Sequence, residues 1–470
     1  MTIRLVPYPE YKDSGLPWLG EIPNHWEVRR GKSVFKCIDV RSRSGDEELL
    51  TVSAKDGVVP RREKKVTMFM AESYAGYKLC WPGDLVINSL WAWAGGLGFS
   101  RHHGIISSAY GVYRPRPEFA SFWPYFDYLF RSKVYDWELH VRSKGIWVSR
   151  LQLTDESFLD MPIVLPPNDE AERLARFLTG ASAHINRLIR AKRRLIDLLN
   201  EQKQAIIHRA ITRGLDPNVR LKPSGIDWLG HVPEDWEIKK LKYKVRFYGG
   251  GTPLKAVAEY WNGDIPWVSP KDMKTELVED AEDHITQEAV EQSSTHLIEA
   301  GAVLVVVRSG ILRRTIPVAI NQKSVALNQD MKALVTKPGL KACYLAALIR
   351  GNQHVFLTEW TKQGATVESI EHALLANTRI PVPPIPKQEA IIAFLDKELS
   401  TVNQPIERAR REIDLLREYR TRLIADVVTG KLDVRGVELP VLTEAEMMED
   451  LDIPEDAEKE EMGDIQEKEI

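Results

Sequence analysis

The sequence contains the same short tryptophan-rich segment twice, and this repeat limits the possible folds more than any other feature. Residues 14–28 read SGLPWLGEIPNHWEV and residues 224–238 read SGIDWLGHVPEDWEI; we call them the first and the second Trp segment. Eight positions, two tryptophans among them, are identical at a constant offset of 210 residues. We therefore predict that one structural unit occurs twice. A period of this length excludes a solenoid of short repeats.

A helix-like segment that also occurs twice follows each Trp segment further along the chain. The residues IDLL occur at 196–199 and again at 413–416. Each copy lies in a helix-like segment behind a proline-rich stretch, LPPNDE at 165–170 and VPPIPKQE at 382–389. This order predicts a first domain at 1–165, a long helix at 166–216, a second domain at 217–382, a second long helix at 383–435 and a tail at 436–470.

Apolar or small residues recur in both helix-like segments at steps of three, four and seven positions, which is the heptad spacing of packed helices. They are Leu174, Leu178, Ala181, Ile185, Leu188, Leu195, Leu199 and Ile206 in the first segment, and Ile392, Leu395, Leu399, Val402, Ile406, Ala409, Ile413, Leu416 and Leu423 in the second. About 40 helical residues span roughly 60 Å. A helix of this length needs an equally long partner to cover its apolar stripe.

We predict that each long helix is the partner of the other. Two units related by a pseudo-twofold axis would place them as an antiparallel coiled coil, with Leu188, Leu195, Ile406 and Ile413 in one seam. A pair of ordinary core helices is the alternative. Pro405 lies inside the second seam, and because proline removes a backbone hydrogen bond, we expect the helix to bend or restart there.

The two domains differ in sequence, and both mix strand and helix signals. Such a mixture predicts α/β or α+β domains, in two copies. We predict strands at 84–88, 104–107 and 302–307, since these runs are short, apolar and rich in β-branched residues. Amphipathic runs predict helices at 122–139 and 341–356.

Several of these elements lead into loops that combine glycine with basic or aromatic residues. Guanidinium groups make bidentate contacts with phosphates and guanine edges, which makes such loops candidates for DNA binding. The candidate residues are Asn88, Trp91, Trp93, Arg101, Lys144, Lys271, Arg308, Arg313, Arg314, Lys362 and Gln363. Two alternatives stay open: the tryptophans belong to the core, or one of the three loop arginines binds a carboxylate of its own domain.

The net charge of −3 conceals an uneven distribution. The chain has 64 Lys and Arg against 67 Asp and Glu, and residues 436–470 alone hold 14 acidic residues and 2 lysines. Residues 1–435 therefore carry 62 basic and 53 acidic groups, an excess of positive charge that suits a polyanionic partner. The acidic tail has few aromatic or β-branched residues, and we predict that it is disordered.

Motifs of catalysis are missing from the sequence. There is no phosphate-binding loop of the G-x-x-x-x-G-K-[ST] type and no glycine-rich turn for a dinucleotide. Both Pro-Pro pairs follow Leu or Val, where an amino-methyltransferase would have Asn or Asp. We predict no catalytic, metal-binding or cofactor-binding residues. No apolar run is long enough for a membrane span, and the N-terminus lacks the apolar core of a signal peptide, so we expect a cytoplasmic protein.

The repeated segments resemble the specificity subunits of type I restriction–modification enzymes. The resemblance covers about residues 1–435 and includes the ends of the two helices, AITRGLD at 210–216 and VVTGKLD at 427–433. Within the domains, PGDLVINSLWAWAGGLGFS at 82–100 and VVVRSGILRRTIPVAINQ at 305–322 also resemble this family. Pro405 is atypical, and the acidic tail lies outside the resemblance.

The resemblance implies two target-recognition domains, each reading one half of a split, asymmetric site in double-stranded DNA. It implies that the paired helices act as a ruler and as the docking surface for two modification subunits, with two restriction and translocation subunits completing the complex. S-adenosylmethionine, ATP and Mg²⁺ would then bind to the partner subunits. A coiled-coil scaffold without sequence-specific DNA binding and an independent nucleic-acid enzyme are the competing hypotheses.

Overall fold

The computed structural model describes residues 5–54, 56–63, 73–145, 151–361 and 368–437. These residues form two compact units. The first unit comprises the described residues up to Lys192 together with those from Arg410 onward, and the second runs from Arg193 to Ala409. The division falls inside the two long helices, so that each helix contributes one part to each unit.

The first unit contains short strands and helices ahead of the first long helix. In chain order these are β1 (Tyr11–Asp13), β2 (Glu21–Pro23), β3 (Glu27–Arg30), α1 (Gly31–Val34), β4 (Phe35–Cys37), β5 (Leu50–Ser53), β6 (Gly57–Pro60), β7 (Lys78–Cys80), β8 (Leu85–Ile87), β9 (Leu97–Phe99), β10 (Gly104–Ile106), β11 (Gly111–Pro115), α2 (Trp123–Phe130), α3 (Lys133–Arg142), α4 (Asp155–Leu159), β12 (Pro162–Leu165) and the long helix α5 (Asn168–Arg213).

An antiparallel sheet of order β4-β11-β8-β9 is the centre of the first domain. The predicted strands at 84–88 and 104–107 are confirmed as β8 and β10. The predicted helix at 122–139 is instead two helices, α2 and α3, which are separated at Arg131 and Ser132. Aromatic side chains of α2 pack on Phe35 of β4, with ring centroids 5.2 Å apart for Phe126 and 5.8 Å apart for Phe130.

The second unit has a longer series of strands. Its elements are β13 (Leu221–Pro223), β14 (His231–Pro233), β15 (Glu237–Lys240), α6 (Leu241–Lys244), β16 (Val245–Gly249), β17 (Trp261–Val268), β18 (Leu277–Val278), β19 (His284–Ile285), α7 (Gln287–Glu291), β20 (Val303–Val306), β21 (Val318–Asn321), β22 (Ala326–Leu327), β23 (Met331–Thr336), α8 (Ala342–Gly351), α9 (Gln353–Trp360), α10 (His372–Asn377), β24 (Arg379–Val382) and the long helix α11 (Ile385–Val428).

A mixed sheet of order β16-β23-β20-β21-β18 forms the middle of the second domain. The predicted strand at 302–307 is β20, and alternate residues of this strand enter two different clusters of buried apolar side chains. Burial on both faces accounts for its unbroken run of valine and leucine. The predicted helix at 341–356 is divided into α8 and α9 at Asn352.

The two Trp segments adopt the same structure in their own units. Trp26 is 0% exposed and Trp236 is 1% exposed. The strand behind each tryptophan pairs antiparallel with the strand that precedes a long helix, β3 with β12 in the first unit and β15 with β24 in the second. The predicted repeat of one structural unit is thus confirmed.

A contact between two polar side chains attaches each Trp segment to the start of a long helix, and the carboxylate lies on the helix in the first copy and on the Trp segment in the second. In the first unit, His25 Nε2 lies 2.7 Å from Oε2 of Glu170 on α5. In the second unit, Asp235 takes the place of His25, and its carboxylate lies 2.8 Å from Nζ of Lys387 on α11. We call each of these contacts a clasp.

Within the first unit, the two long helices pack side by side in antiparallel directions. Arg420 donates to Asn186 Oδ1 at 2.6 Å, and Lys192 Nζ lies 2.6 Å from Glu412 Oε2. The contact positions advance along α5 while they retreat along α11, as an antiparallel pair requires.

The same direction holds within the second unit. Lys203 Nζ donates to Asn403 Oδ1 at 3.1 Å. Nearer the sheet, Ile207 and Ile211 of α5 share one apolar cluster with Ile391 and Leu395 of α11. The predicted antiparallel pairing of the helices is therefore confirmed in each unit.

The predicted seam is only partly correct. Ile406 and Ile413 are buried, but Leu188 is 39% exposed and Leu195 is 41% exposed. Ile189, one position further along, is 4% exposed and takes the place predicted for Leu188. The buried stripe of α5 thus continues from Ile185 to Ile189, four residues later, and leaves Leu188 beside it.

Pro405 does not interrupt α11. The helix is continuous from Ile385 to Val428 with Pro405 inside it, and the expected restart is therefore wrong. Proline has no N–H to donate to the carbonyl of Thr401, four residues earlier. Val402 and Ile406, on either side of the proline, are both buried, and their packing supports the helix at this point.

Candidate nucleic-acid interface

In the first domain, the loop that follows β8 contains three of the candidate residues. Asn88 lies at its start, where its amide donates to the Tyr110 hydroxyl at 3.0 Å and its Oδ1 accepts from the Leu90 N–H at 3.2 Å. Asn88 is therefore engaged in holding the loop. This engagement favours a positioning function for its side chain over direct reading of a base.

Trp91 and Trp93 stack on each other at the tip of this loop. Their ring centroids are 5.7 Å apart with an interplanar angle of 19°, and Trp93 Nε1 donates to the Leu90 carbonyl at 2.9 Å. Trp91 is 39% exposed, so the alternative of a core position is wrong for this residue. An exposed indole face of this kind can stack on a base or a sugar.

Lys144 lies near the same loop, whereas Arg101 contacts a different element. The backbones of Lys144 and Gln152 exchange two hydrogen bonds of 3.0 Å, and Leu153 N donates to the Ser89 carbonyl at 2.9 Å. The exposed Lys144 is thus brought towards the tryptophan pair. The guanidinium of Arg101 lies over the ring of Trp123 on α2, at 5.9 Å.

In the second domain, two of the three loop arginines bind carboxylates of their own domain. Arg308 follows β20, and its Nε lies 2.5 Å from Asp330 Oδ1. Arg313 Nε lies 3.4 Å from Glu368 Oε1. The alternative of an intradomain carboxylate partner is therefore confirmed for both residues. Their side chains remain 53% and 68% exposed, so the ion pairs orient the guanidinium groups without covering them.

Arg314 differs from its neighbours. It is exposed, and among the described residues no carboxylate lies within ion-pair distance of its side chain. It directly follows a short 3₁₀ turn, Gly310–Arg313, whose start is capped by the Ser309 hydroxyl. This turn fixes the backbone next to Arg314.

Among the candidate DNA-binding residues, Lys271 is the one whose positive charge is balanced by two carboxylates. Its Nζ lies 2.9 Å from Asp283 Oδ2 and 3.3 Å from Glu282 Oε2, and the hydrogen bond to Asp283 raises the pKa of the lysine. Two carboxylates around one ammonium compete with any phosphate. The remaining candidates, Lys362 and Gln363, lie outside the described residues.

A polar network beside Arg308 was not predicted from the sequence. Thr252 donates to Gln329 Oε1, Gln329 donates to Asp330 Oδ2 at 3.3 Å, and Asp330 binds Arg308. The network joins the glycine-rich loop after β16 to the loop before β23. The run GGGTP at 249–253 was the signal that could have indicated it, because clustered glycines mark places where another group approaches the backbone closely.

Alanine substitution of the loop arginines should separate their functions. Loss of a base contact should cost roughly 1–3 kcal/mol and relax one position of the recognised site, whereas loss of a phosphate contact should weaken all sequences alike and lower the salt slope by about one unit. We expect Arg314→Ala to lower the affinity for DNA more than Arg313→Ala does. Arg313 already pairs with Glu368 of its own domain, whereas no carboxylate of the described residues pairs with Arg314. Affinity against salt concentration, on cognate and scrambled duplexes, measures both effects. Unchanged affinity in the Arg308, Arg313 and Arg314 variants would remove this loop from the interface.

Two further features of the described residues bear on function. Nowhere in the described ranges do three or more His, Cys, Asp or Glu side chains form a group that could hold a metal ion. None of the helices in these ranges combines the length and apolar composition that crossing a bilayer requires.

The fold and the candidate loops define a protein with two α+β domains that are connected by an antiparallel pair of long helices. Residues 233–411 match the family model of the type I restriction modification DNA specificity domain. A solved structure that concerns complex assembly and conformational transition of a type I R-M system has the same fold, with a TM-score of 0.62, 17% identity, and coverage of 87% of this chain and 99% of that chain.

Two curated relatives carry the name of a specificity subunit. The EcoR124I/EcoR124II specificity subunit of Escherichia coli is 43% identical over 171 residues, which are 36% of this chain and 42% of the relative. The putative MjaX specificity subunit of Methanocaldococcus jannaschii is 21% identical over 89% of this chain and 96% of its own length. The match thus spans less than half of the E. coli relative. The chain is thus similar in sequence and in fold to specificity subunits of type I restriction–modification enzymes.

Proposed function

We propose that this chain is the sequence-reading subunit of a type I restriction–modification complex, and that it binds a bipartite, asymmetric site in double-stranded DNA. The observation that carries the proposal is the doubled architecture. Each unit repeats the same buried tryptophan, strand pair and clasp, yet the two domains present different sheets with different exposed loops. Two domains that are held by the same structural elements but expose different loops suit a DNA site made of two different halves.

The long helices then set the distance between the two half-sites and receive the partner subunits. We propose two modification subunits, which methylate adenine with S-adenosylmethionine, and two restriction subunits, which use ATP and Mg²⁺. This chain would bind none of these cofactors, and the complex would work in the cytoplasm, where it meets DNA. A scaffold that does not bind DNA is less consistent with the exposed cationic and aromatic loops.

Methylation mapping of a genome tests the reading function directly. A host that expresses this chain with a modification subunit should acquire methylated adenines in one split motif, and a host with the modification subunit alone should not. Methylation without a shared motif would contradict sequence-specific binding by this chain.

Alone, the purified chain should neither methylate nor cleave DNA and should not bind ATP. The expectation rests on the sequence, which lacks the phosphate loop and the Asn or Asp before Pro-Pro that such chemistry needs. Incubation with duplex DNA and labelled methyl donor, and separately with ATP, measures all three activities. Transfer of label by the chain alone would overturn the non-catalytic assignment.

A further inference from the structure

The second domain contains a lysine, Lys332, whose charge no carboxylate of the described residues neutralises. Lys332 is partly buried on β23, between Gly249 of β16 and Val305 of β20. Within the described ranges, the only group within hydrogen-bond distance of its Nζ is Nδ1 of His372, at 3.3 Å. Partly buried charges in proteins are normally paired with an opposite charge, and the part of the chain that the structure describes supplies no counterion to this ammonium.

His372 contributes a second hydrogen-bond donor at the same place. It is the first residue of α10 and is exposed, and its ring stands edge-on against Phe247 with 5.0 Å between the ring centroids. When the ammonium of Lys332 donates to Nδ1, the neutral imidazole carries its proton on Nε2. No acceptor for this N–H occurs among the described residues.

The surroundings disfavour positive charge on both residues. Burial lowers the pKa of Lys332. Burial, and then the charge of Lys332, lower the pKa of His372. A bound anion would stabilise both groups, and nothing in the described part of the domain supplies one.

Open space lies at the strand position opposite Lys332. Gly249 is the cross-strand partner of Lys332, and cross-strand partners of an antiparallel pair point to the same face of the sheet. A Cβ added at Gly249 would meet no atom within 4 Å. The φ angle of Gly249 is not positive, so the backbone conformation does not require glycine here.

We propose that Lys332, His372 and the space over Gly249 form an anion-binding notch that takes one phosphate group of the DNA backbone. The proposal rests on the proposed function, since it assumes that this domain binds DNA. The position of the notch supports it, because β23 starts directly after Asp330, the residue that orients the exposed Arg308. Phosphate oxygens accept hydrogen bonds from ammonium and imidazole donors alike.

Binding of the full-length chain to cognate and scrambled duplexes over a range of salt concentrations tests the notch. Lys332→Met should lower the salt slope by about one unit and weaken both duplexes alike, by roughly eightfold at 0.1 M salt. Gly249→Glu should weaken binding at least as much, because its carboxylate would pair with Lys332 in place of the phosphate. Gly249→Gln controls for size and should have the smaller effect, and Lys323→Met controls for the loss of an exposed positive charge.

The outcomes separate the notch from the proposed function. If the wild-type chain binds no duplex, the proposed function fails and the notch fails with it. If the wild-type chain binds while Lys332→Met and Gly249→Glu retain its affinity and slope, the notch alone is wrong. Should Lys332→Met not fold, Gly249→Glu provides the same test, because its side chain enters open space.

An experiment with inorganic phosphate tests whether the notch binds a phosphate of DNA or a free phosphate ion. Thermal unfolding of the wild-type chain and of Lys332→Met is compared with and without phosphate. A rise in Tm that Lys332→Met abolishes, together with unchanged DNA binding, would mean that the notch takes free phosphate and would overturn its assignment to DNA. Loss of DNA affinity and of the salt slope in the same variant supports it.

Discussion

If the proposed function holds, replacing residues 29–165 with the corresponding domain of a type I specificity subunit is expected to change one half of the methylated site and leave the other half unchanged. The replaced range begins inside β3 and ends with β12, so the substitute supplies most of both strands of this pair. Trp26 and the first clasp stay with the host chain. The sheet and loops that we propose to read DNA are exchanged as a block.

The reciprocal replacement is the matched control. Residues 239–382 begin inside β15 and end with β24, at the same points of the equivalent strand pair. This exchange should alter the other half of the site. Methylation mapping of hosts that express each hybrid with the modification subunit gives both results. A hybrid that alters both halves at once would show that the two domains do not read independently.

The sequence predicted the order of the parts well, because repetition is visible without any knowledge of packing. It placed the first long helix to within three residues, the end of the second to within seven, and the strands β8, β10 and β20 to within one. It failed in the choice of buried positions along the first long helix. Leu188 and Leu195 fit a strict heptad, but Ile189 is buried in place of Leu188. Both neighbours are apolar, so the pattern of apolar residues does not decide which of the two faces the partner helix.

The candidate interface was harder to predict, because its partners are distant in sequence. Arg308 binds Asp330, 22 residues away, and Arg313 binds Glu368, 55 residues away. Periodicity carries no information about such contacts. For the same reason, sequence analysis selected Lys271, which two carboxylates neutralise, and did not select Lys332, which none neutralises among the described residues.

The two clasps show how far the copies of the repeat have diverged. In the first, Glu170 is 3% exposed and also accepts hydrogen bonds from the Tyr8 hydroxyl at 2.6 Å and from Trp26 Nε1 at 3.0 Å. In the second, the side chains of Lys387 and Asp235 are 49% and 44% exposed, and the buried Nε1 of Trp236 has no hydrogen-bond partner among the described residues. The first clasp is thus a buried network, and the second is a surface ion pair.

Loss of the buried carboxylate should therefore destabilise the first unit far more than loss of the second clasp affects the second unit. Glu170→Ala leaves Trp26 Nε1 and the Tyr8 hydroxyl without an acceptor. Burial is the largest cause of the raised pKa of Tyr8 and persists in this variant, so the phenol stays protonated and still needs an acceptor. An unsatisfied buried donor costs about 1–3 kcal/mol, which gives roughly 3 kcal/mol for the pair. Lys387→Met should cost less than about 1 kcal/mol, as exposed ion pairs do.

Hydrogen exchange measured along the full-length chain resolves the two units separately. In Glu170→Ala, the protection of the amides of β3 should fall roughly 100-fold, the equivalent of about 3 kcal/mol, while that of β15 stays at the wild-type level. Glu170→Gln keeps one acceptor oxygen and should lose less protection than alanine. In Lys387→Met, the protection of β15 should fall by less than about fivefold. Equal losses in the two clasp variants would show that the burial of Glu170 adds nothing to the stability of the first unit, and that both copies depend on the strand pair and the buried tryptophan alone.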